Sequence, residues 1–109
     1  MIKYISEFPH KIYEEWSDKE LFDIDLLLKK TFYPKLSTFN PTLNYDDASF
    51  LMETFHHVEI EKEGDNWFAC IHTGDSNNEG NEVIFFVEAK QFPLALSLAA
   101  YEYVQAGYR

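Results

Sequence analysis

Histidines, carboxylates and one cysteine gather in the middle of this chain. His56, His57, Glu59 and Glu61 stand in one short segment, and Cys70 and His72 in the next. If both segments are strands, side chains two apart share a face. His57, Glu59 and Glu61 then form one set, and Cys70 and His72 another. A zinc site needs three or four donors converging at about 2.0–2.3 Å. Nothing in the spacing demands that convergence, so no metal and no cofactor is expected. Solvated His and Glu side chains on an outer sheet face, beside a packed cysteine, account for the pattern. Cys70 with His72 is also the nearest nucleophile and base. It lacks a third group to orient the base and a glycine turn to form an oxyanion hole, so no catalytic residue is expected. The four glycines are scattered, which leaves no phosphate-cradling loop.

Carboxylates are the second chemical signal. Glu14, Glu15, Asp18, Glu20, Asp23 and Asp25 crowd one region, and Glu59, Glu61, Glu63 and Asp65 follow in another. Only Lys19, Lys29, Lys30 and Lys62 dilute them. On a single surface the two groups would imitate a phosphate ladder and fit a basic nucleic-acid channel. Apart, they are an ordinary solvated face. Tyr4, Tyr13, Tyr33 and Tyr108 fall outside the expected core pattern and are candidate aromatic anchors, because Tyr and Trp dominate interface hot spots.

Across 109 residues, 19 Asp and Glu stand against 9 Lys and Arg, a formal net charge of −10. That sign repels phosphate backbones and anionic membranes, so direct nucleic-acid or membrane binding is not expected. A basic protein partner suits it, and so does simple solubility. The single cysteine allows no intramolecular disulfide. The first residues have no charged-then-apolar signal layout, and no run approaches the ~18 apolar residues of a membrane span. The expected location is the cytoplasm.

Capping and periodicity define the elements that must position these residues. Residues 1–15 have no clean period and contain Pro9, which suits an edge strand or an arm docked on the body or on a second subunit. Ser17 and Glu20 form a capping box, with Trp16 and Leu21 as a hydrophobic staple. Leu21, Ile24, Leu27 and Leu28 then give the apolar face of a helix over residues 18–31. Pro34, Ser37, Thr38, Asn40 and Pro41 mark a loop. Asn44 caps a second helix, whose expected buried stripe is Ala48, Leu51, Met52 and Phe55. Val58 and Ile60 alternate with polar residues in a first strand, Gly64-Asp65-Asn66 turns the chain, and Trp67, Ala69 and Ile71 alternate in a second. Gly74 to Asn81 is a polar turn cluster. Val83 to Val87, apolar on both faces, reads as a strand covered on both sides. Pro93 opens the last helix at its first position, Leu94, Ala95, Leu98, Ala99 and Tyr101 face inward, and Gly107 caps its end. The expected class is α+β: helix, helix, three-stranded antiparallel sheet, helix, with an arm over 1–15 and one domain over 16–109.

Several of these segments resemble a phage family. Phe39-Asn40-Pro41, followed by Asp46-Asp47-Ala48, resembles the phrase opening the second helix of NinX-like proteins of lambdoid phages. Tyr45 resembles the tyrosine-led version in the related phage alpha-beta-alpha sandwich domain. Gly64-Asp65-Asn66-Trp67-Phe68-Ala69 is similar to the glycine-tryptophan strand opening of both groups, and Phe92 to Ala100 to their closing helix. Trp16-Ser17-Asp18 through Ile24 is similar to their first helix. The likeness covers residues 16–106 and implies a phage or prophage origin and an alpha-beta-alpha sandwich. It implies no catalytic residue. Residues 1–15 and the Gly74–Asn81 loop depart from the pattern. The expected function is a small, acidic, non-enzymatic accessory protein that binds a host protein, such as a nucleic-acid-handling defence enzyme. The alternative is a small-molecule protein that sequesters a nucleotide, with Trp67 or Phe68 stacking on the base. Homodimerisation through the N-terminal arm or an open sheet edge is a third expectation.

Overall fold

A computed structural model describes residues 2–5, 16–55, 57–72 and 82–107, with 2–5, 82 and 83 described by backbone alone. Along the chain run β1 (Ile2–Ile5), α1 (Asp18–Phe32), α2 (Tyr45–Met52), β2 (His57–Glu63), β3 (Asn66–His72), β4 (Glu82–Ala89) and α3 (Phe92–Gln105). The class is α+β. β2, β3 and β4 pair antiparallel, as the alternation predicts. The difference lies at the other edge. β1 joins β4 in parallel, with Ile2 opposite Glu82 and Ile5 opposite Phe85, so the spatial order is β1-β4-β3-β2. The three antiparallel strands are thus part of a four-stranded mixed sheet. β4 becomes an interior strand, hydrogen-bonded along both edges, with Phe85, Val87 and Ala89 turned to the helices and Ile84 and Phe86 to the opposite face. The unpaired edge it would otherwise present is closed by the start of the chain. The expected arm therefore begins as a strand of the sheet, and its remainder, residues 6–15, lies outside the described residues, as does the Gly74–Asn81 loop.

Local chemistry sets each helix. Ser17 Oγ accepts from the Glu20 N–H at 3.1 Å, and the Glu20 carboxylate accepts from the Ser17 N–H at 2.9 Å. This box starts α1 and satisfies two orphan donors reciprocally. Trp16, Leu21, Ile24 and Leu28 are buried in the main core. Asn44 Oδ1 accepts from the Asp47 N–H at 2.9 Å and starts α2. Ala48 and Leu51 are buried as expected, but Met52 is exposed, because α2 stops there and its next turn is never made. Phe55, beyond the helix end, packs edge-on against Phe32 and Tyr103.

α3 carries the core. Pro93 falls at its second position, since Gln91 is the cap residue and Phe92 the first helical residue. Its missing N–H still costs nothing there, as the whole first turn lacks intrahelical acceptors. Pro93 through Ala100 are buried without interruption. A helix that is apolar all round must be enclosed, and α3 packs on β3 and β4 and also against both α1 and α2. The main core therefore lies around α3, between the inner face of the sheet (Ala69, Ile71, Phe85, Val87, Ala89) and the other two helices. Gly107, at φ 95°, ends the helix in the left-handed conformation that favours glycine.

Candidate functional site

The β2–β3 hairpin turns at Gly64, whose φ of 62° suits the first central position of a two-residue type II′ turn. Glu63 therefore pairs with Asn66, and counting back along both strands sets His57 directly against His72. Cross-strand partners share a face, so the two sets, whose convergence the spacing did not demand, are one. His57, Glu59 and Glu61 lie beside Phe68, Cys70 and His72, on the sheet face away from α3. The His57 and His72 rings stack at 3.8 Å between centroids with planes 9° apart. Glu59 Oε2 sits 2.5 Å from His72 Nε2 and 3.7 Å from His57 Nε2. One donor atom from each of the three side chains falls within 4.8 Å of the others. The His72 side chain is only 7% exposed, whereas His57 is 54% and Glu59 60% exposed. One member is held by packing, and two face solvent.

Cys70 belongs to the same face but is not activated. Loss of hydration pushes its thiol up to about 11, and the neighbouring Glu59 and Glu61 charges push in the same direction. A nucleophilic thiol requires the reverse environment, and the Nε2 of His72 is engaged by Glu59. Phe68 packs on Phe86 on this face. Trp67 points to the other face, against Phe92 and under Lys62, whose Nζ lies 5.6 Å from the ring centroid. The two aromatics offered as base-stacking platforms thus occupy opposite faces.

The described carboxylates divide between two layers. Asp18, Glu20 and Asp23 lie on α1, which packs against α3, while Glu59, Glu61 and Glu63 leave the sheet on the face remote from α3. Asp65 is exposed at the hairpin turn. Asp25 is not a surface group at all. It is 5% exposed and accepts from the Thr42 backbone N–H at 3.0 Å and the Thr42 hydroxyl at 2.8 Å. Burial pushes it up to about 6, and the two Thr42 bonds offset part of that rise. Asp47 similarly accepts from the Asn40 N–H at 2.9 Å. The Phe39–Thr42 segment, with Phe39, Pro41 and Thr42 buried, is thus a loop pinned from both helices. Its residues do structural work, not chemistry. Glu14 and Glu15 lie outside the described residues.

Of the expected aromatic anchors, Tyr33 is committed to the fold. Its ring stacks on Phe50 at 4.8 Å, and its hydroxyl bonds the Phe50 carbonyl at 3.1 Å and the Thr54 hydroxyl at 2.6 Å. Tyr13, Tyr108 and the side chain of Tyr4 lie outside the described residues. The exposed apolar side chains are others. Phe22, at 62% exposure, and Leu26 share a face of α1, and Leu43 and Tyr45 follow the Thr42 loop that Asp25 ties to that helix. Phe22 and Leu26 fall outside the Leu21–Ile24–Leu28 stripe, and that off-stripe position was the available sequence signal. No helix among the described residues is long and apolar enough to cross a membrane. Set against family models, curated proteins and solved structures, the chain matches none of them.

Proposed function

We propose that this chain is a small phage or prophage accessory protein that acts without catalysis, in the host cytoplasm, by binding a basic host protein. A defence enzyme that handles nucleic acid is the partner its charge suits best. The observation that carries the reading is the exposed Phe22–Leu26 face of α1, bordered by the exposed carboxylate of Asp18 and by the Lys19–Asp23 ion pair. Adjacent large apolar side chains left exposed on a helix face mark a candidate contact surface, and the preference for a cationic partner comes from the charge of the whole chain. The net charge of −10 would steer such a partner from a distance. The likeness of residues 16–106 to NinX-like phage proteins supports the origin. Because the carboxylates divide between layers, recognition is assigned to the α1 surface and not to a continuous imitation of a phosphate ladder.

The experiment is affinity capture from host lysate at low and moderate salt, with the Phe22→Ala/Leu26→Ala double variant run alongside. The expected outcome is a basic nucleic-acid-handling protein retained by the wild type, progressively lost as salt rises, and lost from the variant at every salt. Both substitutions are at exposed positions, so the variant should melt within a degree or two of wild type. Capture of the same protein by both chains would remove the α1 surface from the account, and capture of no basic protein would remove the reading.

A further inference from the structure

The outer face of the β2–β3 hairpin carries a donor set that binding through α1 does not use. Its three side chains are two imidazoles and a carboxylate, brought together from adjacent strands by the register of a two-residue turn. The geometry points to a binding site for one first-row divalent metal ion, zinc in the cell, held by His57, Glu59 and His72. Two nitrogens and one carboxylate oxygen are a known three-ligand zinc set, which leaves one tetrahedral position for water or a partner's side chain. Ligands at about 2.0–2.1 Å around a tetrahedral ion stand roughly 3.3–3.5 Å from one another. The carboxylate oxygen already lies 2.5 Å from one imidazole nitrogen and 3.7 Å from the other, so the ion takes the place of the proton shared by Glu59 and His72, which is released to solvent, as the ligands part by about an ångström.

The mobility is distributed as a metal site requires. His72 is fixed by burial and supplies the preorganised ligand. Glu59 and His57 are more than half exposed and free to adjust around it. One adjustment is obligatory. Two parallel stacked rings cannot aim their in-plane lone pairs at a common point, so His57 must tilt out of the stack, which its exposure permits without moving the hairpin backbone. Glu61, next on the same face, adds negative potential that attracts a cation. Affinity should follow the Irving–Williams order, with copper and nickel competing effectively in vitro.

The full chain, stripped with a chelator, is titrated with zinc sulfate by calorimetry while ring nitrogen spectra of its histidines are recorded. The expected result is one ion per chain at micromolar concentrations, with the Nε2 signals of His57 and His72 shifting and those of His10 and His56 unmoved. His57→Gln and Glu59→Gln, both at exposed positions, should fold normally and weaken binding at least about tenfold, since removing an outer partner alone typically costs 10–100-fold. His10→Gln should bind as wild type does. No binding at millimolar zinc, undiminished binding by His57→Gln and Glu59→Gln, or shifts confined to His10 or His56 would each overturn the site. The variants lie on a different layer from Phe22 and Leu26, so this result and the capture experiment stand or fall separately.

Discussion

Asp25 shows how one side chain trades stability for geometry. It joins α1 to the Phe39–Thr42 loop through two hydrogen bonds, at the cost of burying a carboxylate. Burial holds its carboxyl at about 6, above the ordinary aspartate value of 3.8, so between those values the folded chain binds a proton that the unfolded chain releases. The protonated fold is favoured below pH ~4, and that contribution is lost as pH rises through ~6. At neutral pH the ionised carboxylate therefore carries a penalty on the order of a few kcal/mol. Asn in this place keeps an acceptor for the Thr42 N–H and carries no charge, although the hydroxyl bond must reorganise. Asp25→Asn is therefore expected to stabilise the protein at pH 7.5 by about 1–2 kcal/mol. The advantage should vanish by pH 4, as read from paired denaturant melts. A variant less stable than wild type at both pH values would mean that the Thr42 bonds outweigh the cost of burying the charge.

At the scale of elements, α3 and β1 do the organising. α3 is enclosed by the sheet and two helices over Pro93–Ala100, so a polar atom on that stretch needs a partner. Ser97 Oγ is buried and has none among the described residues. Replacing it with Ala removes an unsatisfied hydroxyl at almost constant volume. Ser97→Ala should raise stability by about 1 kcal/mol, seen as a higher melting temperature; a fall would show that the hydroxyl finds a partner. β1 contributes through the backbone, pairing along the edge of β4. Removing residues 1–5 reopens that edge. The truncated chain should melt several degrees lower and acquire a concentration-dependent mass in sedimentation, because an exposed apolar edge pairs with its neighbours. An unchanged melting temperature and mass would make β1 dispensable.

For the whole molecule, charge is the dominant property. A net charge of −10 on a chain of 109 residues repels itself in the folded state more than in the expanded one. Raising sodium chloride from 10 to 150 mM shortens the screening length from about 30 to about 8 Å. The melting temperature should therefore rise over that range, in contrast to capture of a basic partner, which weakens over it. A melting temperature that falls with salt would mean that attractive ion pairs outweigh the repulsion. Among the described residues, the Lys19–Asp23 pair on α1 is exposed at both ends and contributes little.

Much of this was determined by local sequence, because caps, periodicity and turns act within a few residues. The Ser17–Glu20 box, the Asn44 cap, the β2–β3–β4 alternation and the Gly107 stop are legible without any tertiary information. The hairpin register was nearly so. Taking Gly64-Asp65 as a two-residue turn is enough to put His57 against His72, whereas a turn that also includes Asn66 conceals it. What the tertiary structure decided is which partners a buried polar residue found and which apolar residues stayed out. Asp25, four residues after Leu21 and three before Leu28, falls on the buried stripe of α1 by spacing alone, but its two bonds to Thr42 come from a loop that only tertiary packing brings over it. Phe22 is out because α3 covers the other side of α1. β1 is a strand because β4 offered it an edge, and that pairing joins residues about eighty positions apart. Local propensity carries no information over such a distance.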